Sequence, residues 1–275
     1  MRNAAASSAA PPLADAMRVV SWNIHGGVGR DGQRDLDRVA RVLVKARCDV
    51  AALQEVGDPH RAARGEDRSR EVADHAAHLG KLLGWYVAFG PTLIHAGRPY
   101  GNAVLSRYPI VGVKNYDLSV RGREPRGCLR ADLQVDGGAV HLFNLHLGLS
   151  GGERRRQAGM LLSADLLRDA ALTAPMLVCG DFNMWFPVPG PIARLLKRSL
   201  RDAAWLVGGR RATWPARLPM LRLDRAYVDA GIEVLACGVL DEGEARQASD
   251  HLPLCLDLWP RHSLASAREA AVAAQ

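Results

Sequence analysis

Two hydrophobic periods alternate along the chain. Residues 18–24 (RVVSWNI) form a short β-rich run that ends at His25-Gly26-Gly27, which predicts a strand entering a turn. Leu36, Val39, Ala40, Leu43 and Val44 then fall at i, i+3, i+4, i+7 and i+8, one face of an amphipathic helix. Residues 49–56 (DVAALQEV) are the next apolar run. Strand, helix and strand at this spacing predict a parallel crossover. A second helix is expected at residues 70–83. Runs at 85–89, 102–106, 111–118, 128–135 and 140–147, separated by turn residues, predict mostly antiparallel strands. The helical period returns over 153–171, with Met160, Ala164, Leu167 and Ala171 on one face. A wholly apolar strand follows at 175–180 (PMLVCG). Ile192, Leu195 and Leu196 mark a short helix, and 221–228, 232–239 and 252–258 are the last strands. Several of these runs are apolar on both sides of the alternation, so their sheets must be covered on both faces. The pattern is α/β, with two sheets packed face to face and helices outside.

The polar residues interrupt this pattern at strand ends. Asn23, Glu55, His146, Asp181 with Asn183, Asp224, and Asp250 with His251 each stand beside an apolar run. A lone carboxylate there costs several kcal/mol unless it is paired or bound to a metal. If these groups converge, they make a cage of carboxylates and amides with one or two histidines and no thiolate. That donor set favours a hard cation, Mg²⁺ or Mn²⁺, over zinc.

Composition adds an anionic partner. The 275 residues carry 36 Lys+Arg against 29 Asp+Glu, a formal charge of +7, and only four of the basic residues are Lys. Residues 194–225 hold nine basic residues and two acids, so this segment alone accounts for the whole excess. It lies between the 179–183 turn and the strand at 222–228, and is expected to form a phosphate-attracting rim. The five cysteines are widely spaced without a CxxC pair and read as core residues in a reducing compartment, so a cytoplasmic location is expected. No run reaches the length of a membrane span. Residues 1–16 are small and polar and read as a disordered leader; residues 17–260 form one domain, and 261–275 are an Ala-rich tail.

The motifs SWNIHGG (21–27), ALQEV (52–56), YGNAVLSRYPI (100–110), EPRGCLRA (124–131), NLHLG (144–148), CGDFN (179–183), RLDRAYV (222–228) and SDHLPL (249–254) follow one another in this order. In that order the chain resembles the endonuclease/exonuclease/phosphatase superfamily of metal-dependent phosphoesterases. The resemblance implies a four-layer α/β sandwich with two mixed, mainly antiparallel β-sheets flanked by helices. It implies that Glu55 is the principal metal ligand, with Asn23 holding the metal or orienting the phosphate and Asp250 as a further metal or water ligand. Asp181 would orient and deprotonate the attacking water, and Asn183 would hydrogen-bond a phosphate oxygen. His251 would contact the phosphate, oriented by Asp224, and His146 would donate to the same phosphate or to the leaving oxygen. Arg126, or its neighbour Arg123, resembles a phosphate-facing arginine. Asn102 and Trp214 are expected at the substrate, and Trp185-Phe186 as an apolar lip or a core anchor.

The mechanism implied is attack of water on a phosphoryl centre with metal assistance. Two substrate classes fit: a lipid headgroup or other small phosphoester, with an anionic membrane surface as partner, or DNA. LQEV and NLHLG resemble the bacterial hydrolase and sphingomyelinase-like branches more than the abasic-site endonucleases. With all the polar residues present, a catalytically dead binding module is disfavoured. A monomer is expected.

Overall fold

A computed structural model describes residues 16–57, 74–95, 98–136, 138–173, 175–185, 191–209 and 211–261. The leader up to residue 15, the loop 58–73, Phe186 and the tail from 262 lie outside the described residues.

Strand β1 (Met17–Asn23) shows how the chain is layered. Val19 enters an apolar cluster between two sheets, while Val20 and Trp22 enter a second cluster beneath helices. Strand β2 (Val50–Gly57) repeats the split, with Val50 and Ala52 on one side and Ala51 and Leu53 on the other. A period of two sends successive side chains to opposite faces, so a strand covered on both sides is apolar throughout.

Between β1 and β2 runs α1 (Leu36–Lys45), capped by Asp35, whose carboxylate accepts from Arg38 N. Helix α2 (His75–Leu83), capped by Asp74, leads into β3 (Tyr86–His95), β4 (Arg98–Ser106), β5 (Ile110–Asp117), β6 (Gly127–Val135) and β7 (Gly138–His146). Helix α3 (Gly151–Leu161) and β8 (Met176–Asp181) make a second crossover. Then come α4 (Pro191–Leu196), β9 (Arg201–Asp202), α5 (Ala203–Leu206), β10 (Asp224–Val228), β11 (Ile232–Val239), α6 (Ala245–Ala248) and β12 (Leu254–Pro260).

The strands form two six-stranded sheets, ordered β11-β12-β1-β2-β4-β3 and β5-β6-β7-β8-β10-β9. Each has one parallel pair at its centre, β1 with β2 and β7 with β8, and antiparallel neighbours elsewhere. Three apolar clusters fill the spaces: one between the sheets, one under α1, α2 and α6, and one under α3 and α4. The architecture is therefore a four-layer α/β sandwich with mixed, mainly antiparallel sheets. Asn144 of β7 ties the sheets together. Its amide donates to Leu53 O at 2.8 Å and Ala103 O at 2.9 Å, and its oxygen accepts from Gln54 Nε2 at 2.6 Å.

Two helical expectations change. The helix expected over 153–171 starts at a Ser150 cap and ends at Leu161. Its buried side is Glu153, Gln157, Ala158 and Leu161, and Met160 is 38% exposed. Gln157 decides this: its Oε1 accepts from Gly148 N at 2.9 Å and its Nε2 donates to Leu118 O at 3.1 Å. A polar anchor of this kind does not register in apolar periodicity. In α1 the stripe is rotated, burying Val42 and leaving Val44 60% exposed. All five cysteines are free thiols, four of them buried.

Candidate active site

Parallel strands end at the same edge of a sheet, and antiparallel neighbours begin there. Asn23 ends β1, His146 ends β7 and Asp181 ends β8. Asp224 opens β10 rather than closing a strand, and its antiparallel register sets it opposite Asp181. His251 lies just before β12, which runs antiparallel to β1. Residues far apart in sequence thus meet at one edge of the sandwich. His146, Asp181 and His251 line a cleft of about 610 Å³ that also takes in Glu55, Arg126, Trp214 and Asp250, and Asn23 and Asp224 join it through their bonds to Asp181 and His251.

Backbone strain marks the same place. Only four described non-glycine residues have positive φ, and three of them, His25 (50°), Glu55 (54°) and Asn183 (49°), line the cleft. Glu55 sits where the β2–β4 register shifts between Leu53 and Val56, a bulge that re-aims its side chain. Conformations this costly persist where the surroundings impose them, often at functional sites.

The side chains form one connected network. Asn23 Nδ2 donates to Glu55 Oε1 at 2.9 Å and to Asp181 Oδ2 at 3.2 Å, while its Oδ1 accepts from His25 N at 3.0 Å. Asp181 Oδ1 accepts from Asn183 N at 2.8 Å. His251 Nδ1 pairs with the fully buried Asp224 at 2.9 Å, and its Nε2 stands 3.8 Å from Asp181. Burial opposes charge on His251, but Asp224 above all, with Asp181 and Asp250, outweighs it and holds the imidazole up at about 10. Burial and the neighbouring Asp224 push Asp181 up to about 6, against the pull of His251.

His146 is the opposite case. Burial, the Arg126 guanidinium and His251 hold it well below the ordinary histidine value, so it is neutral. Arg126 Nη1 is 3.2 Å from its Nδ1 and Asn183 Nδ2 is 3.1 Å from its Nε2, two donors for one lone pair. The charged donor makes the stronger bond. This assigns the lone pair to Nδ1 and the proton to Nε2, which faces Asp181 Oδ2 at 3.5 Å.

The two arginines differ in placement. Arg126 is buried and lines the cleft, bound to Glu124 at 3.0 Å, whereas Arg123 is exposed. Trp214 donates from Nε1 to Asp250 Oδ2 at 3.3 Å and meets Trp185 edge to face at 5.1 Å. Asn102 is not among the cleft residues. Its amide donates to Gly127 O and Asn144 O in the interior, so it supports the sheets instead of reaching substrate.

The basic segment 194–225 also sits elsewhere than expected. None of its described Arg or Lys residues lines the cleft; Arg222 binds Asp202 through two bonds at 2.6 and 3.0 Å, and Arg201 holds Asp229 O and Ile232 O. Only Trp214 and Leu223 of this segment reach the cleft. Conversely, Tyr100, Glu124 and Arg34 line it without a signal in the sequence pattern, and His25, which the sequence leaves between a phosphate ligand and a surface histidine, lines it as well. Tyr100 and Glu124 open the YGN and EPRG motifs, in which their neighbours Asn102 and Arg126 carry the expectation. Burial and the Glu55 charge push the Tyr100 hydroxyl well above its ordinary value.

Asp181, Asp224 and His251 bring donor atoms within 4.8 Å of one another. Within this trio His251 is bonded to Asp224 through Nδ1, and the oxygens of Asp181 and Asp224 are the hard donors. Glu55, Asp181 and Asp250 line the cleft, and Asp224, close to Asp181, has its Oδ1 buried with no hydrogen-bond partner. An excess of hard oxygen, with no thiolate in the cleft, fits a divalent cation such as Mg²⁺ or Mn²⁺.

The sequence pattern of the endonuclease/exonuclease/phosphatase family matches residues 20–251. The chain belongs to this family. Endonuclease/exonuclease/phosphatase proteins are phosphoester hydrolases, generally dependent on a divalent metal. The chain is 32% identical over 245 residues to the protein YbhP of Escherichia coli strain K12, covering 88% of this chain and 95% of that one. A family structure from Beutenbergia cavernae matches with a TM-score of 0.71 and 26% identity, over 89% of this chain and 72% of that one. The mannosyl-6-phosphatase of Bacteroides thetaiotaomicron shares the fold at a TM-score of 0.70 and 19% identity, over 89% of this chain and all of that one (100%).

Proposed function

We propose that this protein hydrolyses a phosphoester of a lipid headgroup or other small molecule, by in-line attack of water with a divalent cation bound. The observation that carries this reading is the juxtaposition of an acidic cleft with the His251 imidazole, held protonated by the buried Asp224 carboxylate. An anionic phosphoester would be repelled by the carboxylates alone. Glu55, Asn23 and Asp250, with Asp181 or Asp224 adjoining, would hold a cation, which would supply Lewis acidity and charge neutralisation at the phosphoryl oxygens.

The residues of the chain divide the remaining work. Asp181, at the end of β8 and braced by Asn183 N and Asn23, orients water and takes its proton. The His251 imidazolium donates from Nε2 to a phosphoryl oxygen, where negative charge grows as the bond to the leaving group breaks. Asp224 keeps the proton on His251 Nδ1 and so fixes which nitrogen faces substrate. His146 donates from Nε2 to the same phosphate or to the leaving oxygen, and Arg126 keeps it neutral in that tautomer. Asn183, its amide held by Leu147 O at 2.8 Å, offers a further donor.

A DNA substrate is the weaker reading. Its chief support was the basic segment 194–225, none of whose described Arg or Lys residues lines the cleft and of which only Arg217 lies on the 214–221 hairpin beside it. Turnover of bis-p-nitrophenyl phosphate and p-nitrophenyl phosphate, with Mg²⁺, Mn²⁺ and EDTA, tests the reaction. Glu55→Gln is expected to lose most metal-dependent turnover while its circular dichroism is unchanged. Full activity in EDTA refutes the metal mechanism, and cleavage of plasmid or abasic DNA alone refutes the substrate class.

A further inference from the structure

The cleft is bordered by aliphatic side chains that the fold leaves in water. Leu149 on its wall is 58% exposed, and Leu218 and Met220 are 65% and 67% exposed. The last two belong to a short hairpin over 214–221, whose base includes the cleft residue Trp214. This hairpin cannot easily turn its apolar side chains inward. Trp214 and Leu221 exchange backbone hydrogen bonds at 3.0 and 2.8 Å, Leu218 N donates to Pro215 O, and Ala216 N is tied to Asp250 O at 2.7 Å. Leu149 is held as firmly, with Arg154 Nη1 donating to Gly148 O at 3.0 Å and Leu149 O at 2.6 Å. Fixed backbones therefore present these side chains outward.

The same segments carry positive charge. Arg123 and Arg217 are exposed on the segments that carry the cleft residues Glu124 and Trp214, and Arg155 and Arg156 are exposed on the second turn of α3, which follows the cleft residue Leu149. The acids among them are Glu124, paired with Arg126, and Glu153, which is buried. The mouth therefore combines aliphatic tips with a surplus of guanidinium groups. A DNA backbone would use the arginines and gain little from exposed leucine and methionine. A bilayer uses both, the aliphatic tips in hydrocarbon and the arginines among anionic headgroups.

We propose that this rim docks the cleft onto an anionic lipid surface, with the 214–221 hairpin as the inserting element. This deepens the proposed function and rests on it for the chemistry, since it would bring membrane phosphoesters to the catalytic edge.

Flotation with vesicles of phosphatidylcholine, with and without phosphatidylglycerol, tests the docking apart from turnover. The full chain should bind phosphatidylglycerol vesicles at least about tenfold more tightly than pure phosphatidylcholine. Leu218→Ser with Met220→Ser should weaken that binding by about tenfold or more. The double variant should keep its turnover of soluble bis-p-nitrophenyl phosphate. Arg155→Glu with Arg217→Glu should abolish the preference for phosphatidylglycerol. Failure to float, binding unchanged in the Leu218/Met220 variant, or tighter binding to duplex DNA than to vesicles overturns the proposal. Flotation without any esterase activity would instead refute the proposed function and leave the docking intact.

Discussion

Asp224→Asn isolates the electrostatic centre of the site. The substitution keeps shape and removes one negative charge from a fully buried position 2.9 Å from His251 Nδ1. In the native chain the imidazole is raised from 6.5 to about 10 against a burial that opposes charge. That rise corresponds to roughly 5 kcal/mol in favour of the imidazolium, a net figure in which Asp224, with Asp181 and Asp250, outweighs the burial. Without Asp224, burial dominates and the His251 value should fall to 6.5 or below. An NMR titration of the imidazole Cε1–H in the metal-free protein reads this directly. Turnover with Mg²⁺ near pH 8 should fall on the order of a hundredfold or more, because a neutral ring no longer meets the growing phosphoryl charge. An imidazole in Asp224→Asn that still titrates above pH 9, or turnover within a factor of about three of the native protein, would refute the reasoning.

Three further outcomes follow from the same structure. His251 binds its proton up to about pH 10 when folded and to 6.5 when unfolded, so its stabilisation is complete below 6.5 and disappears as pH rises through about 10. Urea unfolding across that window should show native stability declining, and a flatter profile for Asp224→Asn. Asn144→Ala removes the amide bound to Leu53 O, Ala103 O and Gln54 Nε2, and should cost roughly 3 kcal/mol or more in urea midpoint analysis; a cost under about 1 kcal/mol would mean water replaces the tie. Gly180 has φ of 141°, and a Cβ there would stand 1.9 Å from Leu145 O. Gly180→Ala should therefore destabilise by roughly 3 kcal/mol or more, read as Tm, because it separates His146 from Asp181 across β7 and β8. A Tm equal to that of the native chain would show that the strands can part without cost.

The strand periods were the most legible part of the sequence. Continuous apolar runs such as Val50-Ala51-Ala52-Leu53 mark doubly covered strands whatever surrounds them, and among the described residues every strand but the two-residue β9 overlaps an expected run, with β3 extending furthest beyond it, to His95. Helix α3 was misread because its packing rests on Gln157, whose value depends on the distant Leu118 carbonyl. Among the candidate residues, Glu55, His146, Asp181, Asn183, Asp224 and His251 were visible as polar groups where apolar runs stop. Tyr100 and Glu124 were not, since a tyrosine or an exposed-looking acid is ordinary until its neighbours in space are known.

The charge shows the divide most clearly. The sequence determined that a surplus of arginine exists and that residues 194–225 hold as much of it as the whole chain. It could not say which way those side chains turn. The fold spends Arg222 on Asp202 and Arg201 on backbone carbonyls, and leaves Arg155, Arg156 and Arg217 free to face solvent around the cleft. Likewise the sequence determined which strand ends carry oxygen and imidazole. Only the parallel pairs at the centre of each sheet, with antiparallel β10 and β12 beside them, decided that those ends share one edge. Hydrophobic period is a property of neighbours along the chain, whereas a catalytic cleft is made by neighbours across it.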